Sequence, residues 1–190
     1  MTKEKYFLII DLEATCSQDG SVPRHQMEII EIGAVILNRS TWNIDSEFQQ
    51  FIKPTIHPQL TDFCTELTTI KQQDVDTAAT FSEVINQLQT WIASFPNYIF
   101  CSWGNYDKTQ FIQDCKLHQI PYPFTDEHRN IKQEFSEYLG VSRKFGMAQA
   151  LQHLGMELQG THHRGIDDAR NIAAIFKYMH TQSRESKSKI

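Results

Sequence analysis

Residues 6–11 form a short run of aromatic and β-branched side chains that Asp11 ends, a pattern that predicts a strand. A longer apolar stretch, 28–37 (E-I-I-E-I-G-A-V-I-L), predicts a second strand. The partly alternating 42–53, stopped by Pro54, predicts a third. Short connections between them favour an antiparallel meander. The period then changes. Phe81, Val84, Ile85, Leu88, Trp91, Ile92 and Phe95 recur at helical spacing, so one helix face spans 81–95 before Pro96-Asn97 breaks it. Residues 98–103 read as a buried strand. After Gly104, Phe111, Ile112, Cys115 and Leu117 suggest another helix. Further helices are expected at 147–154, closed by Gly155, and at 166–179, with Ala169, Ile172, Ala173, Phe176 and Met179 facing inward. Strands first and helices interleaved later predict an α/β domain with one mixed sheet and helices packed on it.

The chain length of 190 residues suits one domain, expected over 1–180, with 181–190 as a polar, frayed tail. A 40% apolar and 22% charged composition fits a globular fold. No apolar run approaches the ~20 residues of a membrane span, so no membrane partner is expected. The first apolar run is too short for a signal peptide, and the chain is expected to be cytoplasmic. Cys16, Cys64, Cys101 and Cys115 are scattered without a C-x-x-C pair, which argues against structural disulfides and a cysteine zinc site. The net charge of −5 argues against holding nucleic acid by a broad basic surface. Any grip on nucleic acid must be local, or aided by cations.

The candidate chemistry lies in acids. Asp11-Leu12-Glu13 ends the first strand, and residues i and i+2 of a strand share a face. Two carboxylates there either mark the strand's exit to solvent or hold a hard divalent cation that relieves their repulsion. Asp107 follows the strand at 98–103 near a helix start, where it could also serve as a cap. His163 precedes Asp168 by five residues, with Asp168 in the first turn of the last helix. Asp167 reads as a cap or first-turn acid.

D-x-E on the first strand, an aspartate after a later strand and H-x-x-x-x-D opening the last helix together resemble the DEDD superfamily of 3′→5′ exonucleases, in its histidine-bearing (DEDDh) branch. Ile9 to Cys16, Glu28 to Ile32, Gln59 to Cys64 and His163 to Ala173 look like the motifs of the Eri-like histone-mRNA 3′-end exoribonucleases. The resemblance covers about residues 5–180. Eukaryotic members often carry a further N-terminal nucleic-acid-binding module, and this chain starts directly with the nuclease-like segment.

The resemblance implies a ribonuclease-H-like fold with a central mixed five-stranded sheet. It implies Asp11, Glu13, Asp107 and Asp168 as ligands of two Mg²⁺, with Mn²⁺ as a substitute. His163 would be the general base, and Glu13 would act with it in catalysis. The implied activity is removal of nucleoside 5′-monophosphates from RNA 3′ ends, with RNA favoured over DNA. Glu13, Ala14, Phe63, Tyr106 and His163 would contact the terminal nucleotide, Ala14 through its backbone and the two aromatic rings by stacking. Trp103 reads as core, Arg164 as a surface arginine and His162 as a bystander. Glu28 and Glu31 read as structural hydrogen-bonding acids. A proofreading-type exodeoxyribonuclease is the nearest alternative. A non-catalytic RNA-binding adaptor would be expected to lack one of the acids. An aspartyl phosphatase would want D-x-D and a downstream lysine.

Overall fold

A computed structural model describes residues 4–125 and 127–187, with side chains described through residue 182. Five strands, β1 (Tyr6–Ala14), β2 (Ile29–Asn38), β3 (Ile44–Phe51), β4 (Tyr98–Ser102) and β5 (His128–Asn130), form one sheet in the order β3-β2-β1-β4-β5. The β1–β2 and β2–β3 pairs are antiparallel, and the β1–β4 and β4–β5 pairs are parallel. The expected meander and mixed five-stranded sheet are therefore both present. The helices are α1 (Asp62–Thr68), α2 (Gln72–Asp76), α3 (Phe81–Ile92), α4 (Tyr106–Leu117), α5 (Ile131–Leu139), α6 (Met147–His153) and α7 (Gly165–Lys187).

Alternation along β1 sorts the core into two layers. Phe7 and Ile9 pack with α5, α6 and α7 on one face, while Leu8, Ile10 and Leu12 pack with α3 and α4 on the other. A smaller cluster of Ile30, Leu60, Cys64, Ile70 and Val75 holds α1 and α2 beside the end of β1. α3 begins in a capping box, in which the Thr80 hydroxyl accepts from Glu83 N–H and the Glu83 carboxylate accepts from Thr80 N–H.

Several elements differ from the sequence reading. α3 stops at Ile92, and Phe95 packs from the turn beyond it. α4 buries Phe111 and Cys115, whereas Ile112 and Leu117 are exposed. The rest of its inner face is polar: Asp114 accepts from Ile29 N–H at 2.6 Å and from Gln110 Nε2 at 2.8 Å. The short elements α1, α2 and β5 carry too few residues to impose a readable period, whereas α5, with Ile131, Phe135 and Leu139 at helical spacing, is a helix absent from the sequence reading. α7 continues past the expected domain limit at residue 180 to Lys187, and the remaining tail, 188–190, lies outside the described residues.

The start of α7 rests directly on sheet backbone. Gly33 on β2 faces Asp11 in the register. A Cβ on Gly33 would fall 1.9 Å from the Gly165 carbonyl carbon, and one on Gly165 would fall 2.9 Å from the Asp11 carbonyl oxygen. Backbone cannot yield as a flexible side chain can. Gly33→Ala is expected to destabilise the protein by about 3 kcal/mol or more, or to prevent folding. Urea denaturation checks this, and a variant of native stability would show that α7 can lift away without cost.

Candidate active site

The two-residue period of β1 carries Asp11 and Glu13 onto the face of Phe7 and Ile9, beneath the start of α7. Glu31 stands opposite Glu13 on β2 and hooks that helix. Its Oε2 accepts from Gly165 N–H at 3.0 Å, and Arg164 forks onto the same carboxylate through Nε and Nη2 at 3.1 and 3.2 Å. Gln49 Nε2 adds a bond of 2.6 Å. Three residues beyond Gly165, Asp168 then lies close to the two strand acids. One oxygen each of Asp11, Glu13 and Asp168 fall within 4.8 Å of one another. Asp107, in the first turn of α4 at the carboxyl end of β4, accepts from Leu12 N–H at 3.1 Å. The site thus opens at the carboxyl ends of parallel strands, the usual place for ligands in sheets of this kind.

Glu13, Asp107 and Asp168 are more than nine-tenths buried. Among the described residues, no lysine or arginine forms an ion pair with Asp11, Glu13 or Asp107. Burial, reinforced by mutual repulsion, raises the Asp11 carboxyl well above the usual range and pushes Glu13 up to about 9. Burial also pushes Asp107 up to about 7 and raises Asp168, although the His162 and His163 contacts oppose the latter. Three converging carboxylate oxygens are the donor set of a hard divalent cation, which would offset this repulsion. The residues present therefore fit such a metal.

His163 has φ of 63°, a left-handed conformation uncommon for a side-chain-bearing residue, and its N–H donates to Asp168 Oδ2 at 3.0 Å. Burial and neighbouring His162 lower its pKa, so the imidazole is neutral at pH 7. His162 is not a bystander: its Nδ1 lies 2.9 Å from Asp168 Oδ2, and its ring stacks on His163 at 3.9 Å. The H-x-x-x-x-D spacing selects His163 and is silent about its neighbour. Arg164 is likewise not a free surface arginine, because Glu31 holds it. Glu28 accepts from the backbone N–H groups of Thr55, Ile56 and His57 and from the Thr55 hydroxyl, anchoring that loop. Asp167 receives Thr161 N–H and pairs with Arg170.

Asp11, Glu13, Asp107, His162, His163 and Asp168 floor a cleft of about 390 Å³ walled by Met27, Leu67, Trp103, Tyr106 and Met147. Tyr106 is exposed on the wall, with the Arg24 guanidinium 4.8 Å above its ring. Ala14 lines the floor at a bulge in the β1–β2 ladder. Phe63 is half-buried on α1 and is not among the residues lining the cleft; Leu67, one turn later, is. Trp103 serves two purposes: its indole N–H donates to the Phe145 carbonyl at 3.0 Å while the ring walls the cleft. Leu67, Met27 and Met147 escaped the sequence reading because apolar residues of a binding wall look like core.

A family profile described as Exonuclease (RNase_T) matches residues 8–176. Human 3′-5′ exoribonuclease 1 is 37% identical over 178 residues, covering 90% of this chain and 51% of that protein. Human ERI1 exoribonuclease 2 is 35% identical, covering 90% of this chain and 28% of that protein. The chain thus spans about half or less of these curated relatives. The nuclease domain of 3′hExo, a DEDDh family member solved bound to rAMP, superposes with a TM-score of 0.89 at 35% identity, covering 95% of this chain and 94% of that one. Exonuclease I, at 13% identity and a TM-score of 0.75, shares the fold. The implied ribonuclease-H-like architecture is therefore the observed one, and the chain belongs to the RNase_T exonuclease family, alongside the DEDDh nuclease domains.

Proposed function

We propose that this chain is a divalent-metal-dependent 3′→5′ exoribonuclease that releases nucleoside 5′-monophosphates from single-stranded or overhanging RNA. One observation carries the reading: carboxylate oxygens of Asp11, Glu13 and Asp168 converge beside a neutral His163, within a fold matching a nuclease domain solved with a ribonucleotide monophosphate. Asp11, Glu13 and Asp168 would hold the metal, with Asp107 completing the set. Two divalent cations, Mg²⁺ or substituting Mn²⁺, would supply charge neutralisation, acidify the attacking water and stabilise the leaving 3′-oxygen. His163 accepts the proton of that water through its neutral imidazole. Asp168 receives the His163 N–H and so holds the backbone that carries this ring. Tyr106 offers an exposed ring to a base, and the Ala14 backbone offers polar groups to the terminal sugar, where a 2′-hydroxyl distinguishes RNA.

The first test is digestion of end-labelled, matched RNA and DNA strands. RNA should shorten from its 3′ end to mononucleotides with Mg²⁺, and chelator or Asp11→Asn should abolish the ladder. Faster loss of DNA would overturn the substrate assignment. A second test concerns the base. His163→Ala should lower kcat by roughly 10²–10⁴-fold. The native rate should fall on the acid side as the imidazole takes up a proton, with the midpoint below the ordinary 6.5 because burial lowers this pKa. That acid limb should vanish in the variant.

A third test reads the acids without catalysis. Folded Glu13 titrates at about 9 against an ordinary 4.5, so the folded state binds this proton more tightly than the unfolded chain. Metal-free stability should therefore fall as pH rises from 4.5 to 9. In chelator at pH 8, Glu13→Gln should melt several degrees above the native protein, at about 2–4 °C per kcal/mol. The gap should close near pH 4.5, and added Mn²⁺ should raise the native Tm more than the variant's. Equal melting in chelator would show that the carboxylates do not repel as placed.

A further inference from the structure

Two cysteines that the proposed chemistry does not use meet at the edge of the cleft. Cys16 follows Glu13 by three residues, is half-exposed and lines the cleft. Cys64, on α1, is fully buried, and Cys16 packs against its cluster. Thr61 ties the two backbones together: its hydroxyl donates to the Cys16 carbonyl at 2.6 Å and accepts from Cys64 N–H at 3.0 Å. The Cys64 sulfur also lies 3.7 Å from the Ala14 carbonyl oxygen, on the cleft floor. The thiols polarise each other. The Cys16 thiol and N–H draw Cys64 down to about 7, while the same interaction and burial push Cys16 up. A sulfur with substantial thiolate character thus sits behind a sulfur that faces the opening.

We propose that Cys16 and Cys64 form a redox pair, closed to a disulfide by peroxide-class oxidants and reopened by thiols, that throttles the adjoining cleft. The Cys64 thiolate takes the Cys16 proton as the Cys16 sulfur attacks one peroxide oxygen. The O–O bond breaks, leaving Cys16 as a sulfenic acid and releasing hydroxide. Cys64 then attacks the sulfenic sulfur, forming the S–S bond, and its proton leaves with the hydroxyl as water. The pair loses two electrons and peroxide gains them. Two thiol-reducing equivalents reverse the step.

Closure reaches the site through the wall. A disulfide holds its sulfurs at about 2.05 Å, roughly 1.5 Å closer than unbonded sulfurs pack. The contraction draws the end of β1 toward α1, and with it the Ala14 floor and the Leu67 wall. A displacement of about 1 Å near reacting groups can cost on the order of 10²-fold in rate. The effect on RNA cleavage rests on the exonuclease reading; formation of the bond does not.

The test treats the full chain with hydrogen peroxide under native conditions, alkylates residual thiols and reads tryptic peptides by mass spectrometry. A Cys16–Cys64 cross-link is expected, with buried Cys101 and Cys115 alkylated only after denaturation. In parallel, cleavage of end-labelled RNA should fall by about 10²-fold and return with dithiothreitol. Cys16→Ser should form no cross-link and keep its own starting rate through the same treatment. Absence of the cross-link, or a cross-linked protein as active as the reduced one, overturns the proposal. Failure of the reduced protein to cleave RNA would instead overturn the exonuclease reading, while the peptide readout would still decide whether the pair closes.

Discussion

The contact between Gly33 and Gly165 is the constraint on which the site depends. Helices usually pack on a sheet across interposed side chains. Here the first residue of α7 touches the backbone of β1 and β2, because neither glycine has a Cβ to hold them apart. Glu31 then fixes the rotation of the helix start by accepting from Gly165 N–H and pairing with Arg164. Helix geometry does the rest. Asp168 lies about one turn along and comes down beside Asp11, the strand residue opposite Gly33. A separation of more than 150 residues in sequence is closed by two missing methyl groups and one buried carboxylate.

That close approach also makes the site electrostatically costly. Four acids share a small volume at the end of a hydrophobic layer, and the first turn of α7 offers only a partial positive charge. The fold tolerates them because β1 and β2 are long, largely buried strands whose ladder would have to break before the acids could separate. Local strain is therefore stored against global stability, as His163 at positive φ also illustrates. A divalent cation is the natural complement of such a site, since a lysine or arginine side chain would itself fill the cleft.

Much of this was legible in the sequence, for identifiable reasons. Asp11 and Glu13 announced themselves because strand period two fixes their shared face whatever the rest of the fold does. Their convergence with Asp168 and Asp107 was not derivable from period or spacing, and came only through resemblance to a family. The sheet order likewise needed contacts that no local pattern encodes. α4 was legible as a helix, but its buried face was not, because beside Phe111 and Cys115 it carries Asp107, Gln110 and Asp114, whose burial is supported by hydrogen bonds rather than by hydrophobicity. β5 and α1 are too short for a period to show.

The buried glutamates of β1, of β2 and of its approach differ in a telling way. Glu13, Glu28 and Glu31 are all nearly inaccessible, yet they differ wholly in what surrounds them. Glu28 is saturated by backbone N–H donors from the 55–57 loop, and Glu31 by Arg164, Gln49 and Gly165. Their charges are spent holding the loop and the helix. Glu13, across the ladder from Glu31, has no such basic partner among the described residues and opens to the cleft. Burial alone therefore does not mark a reactive acid. The mark is an unmet demand for positive charge facing a space that a ligand can enter, and in this site it falls on Glu13 and its neighbours Asp11 and Asp168.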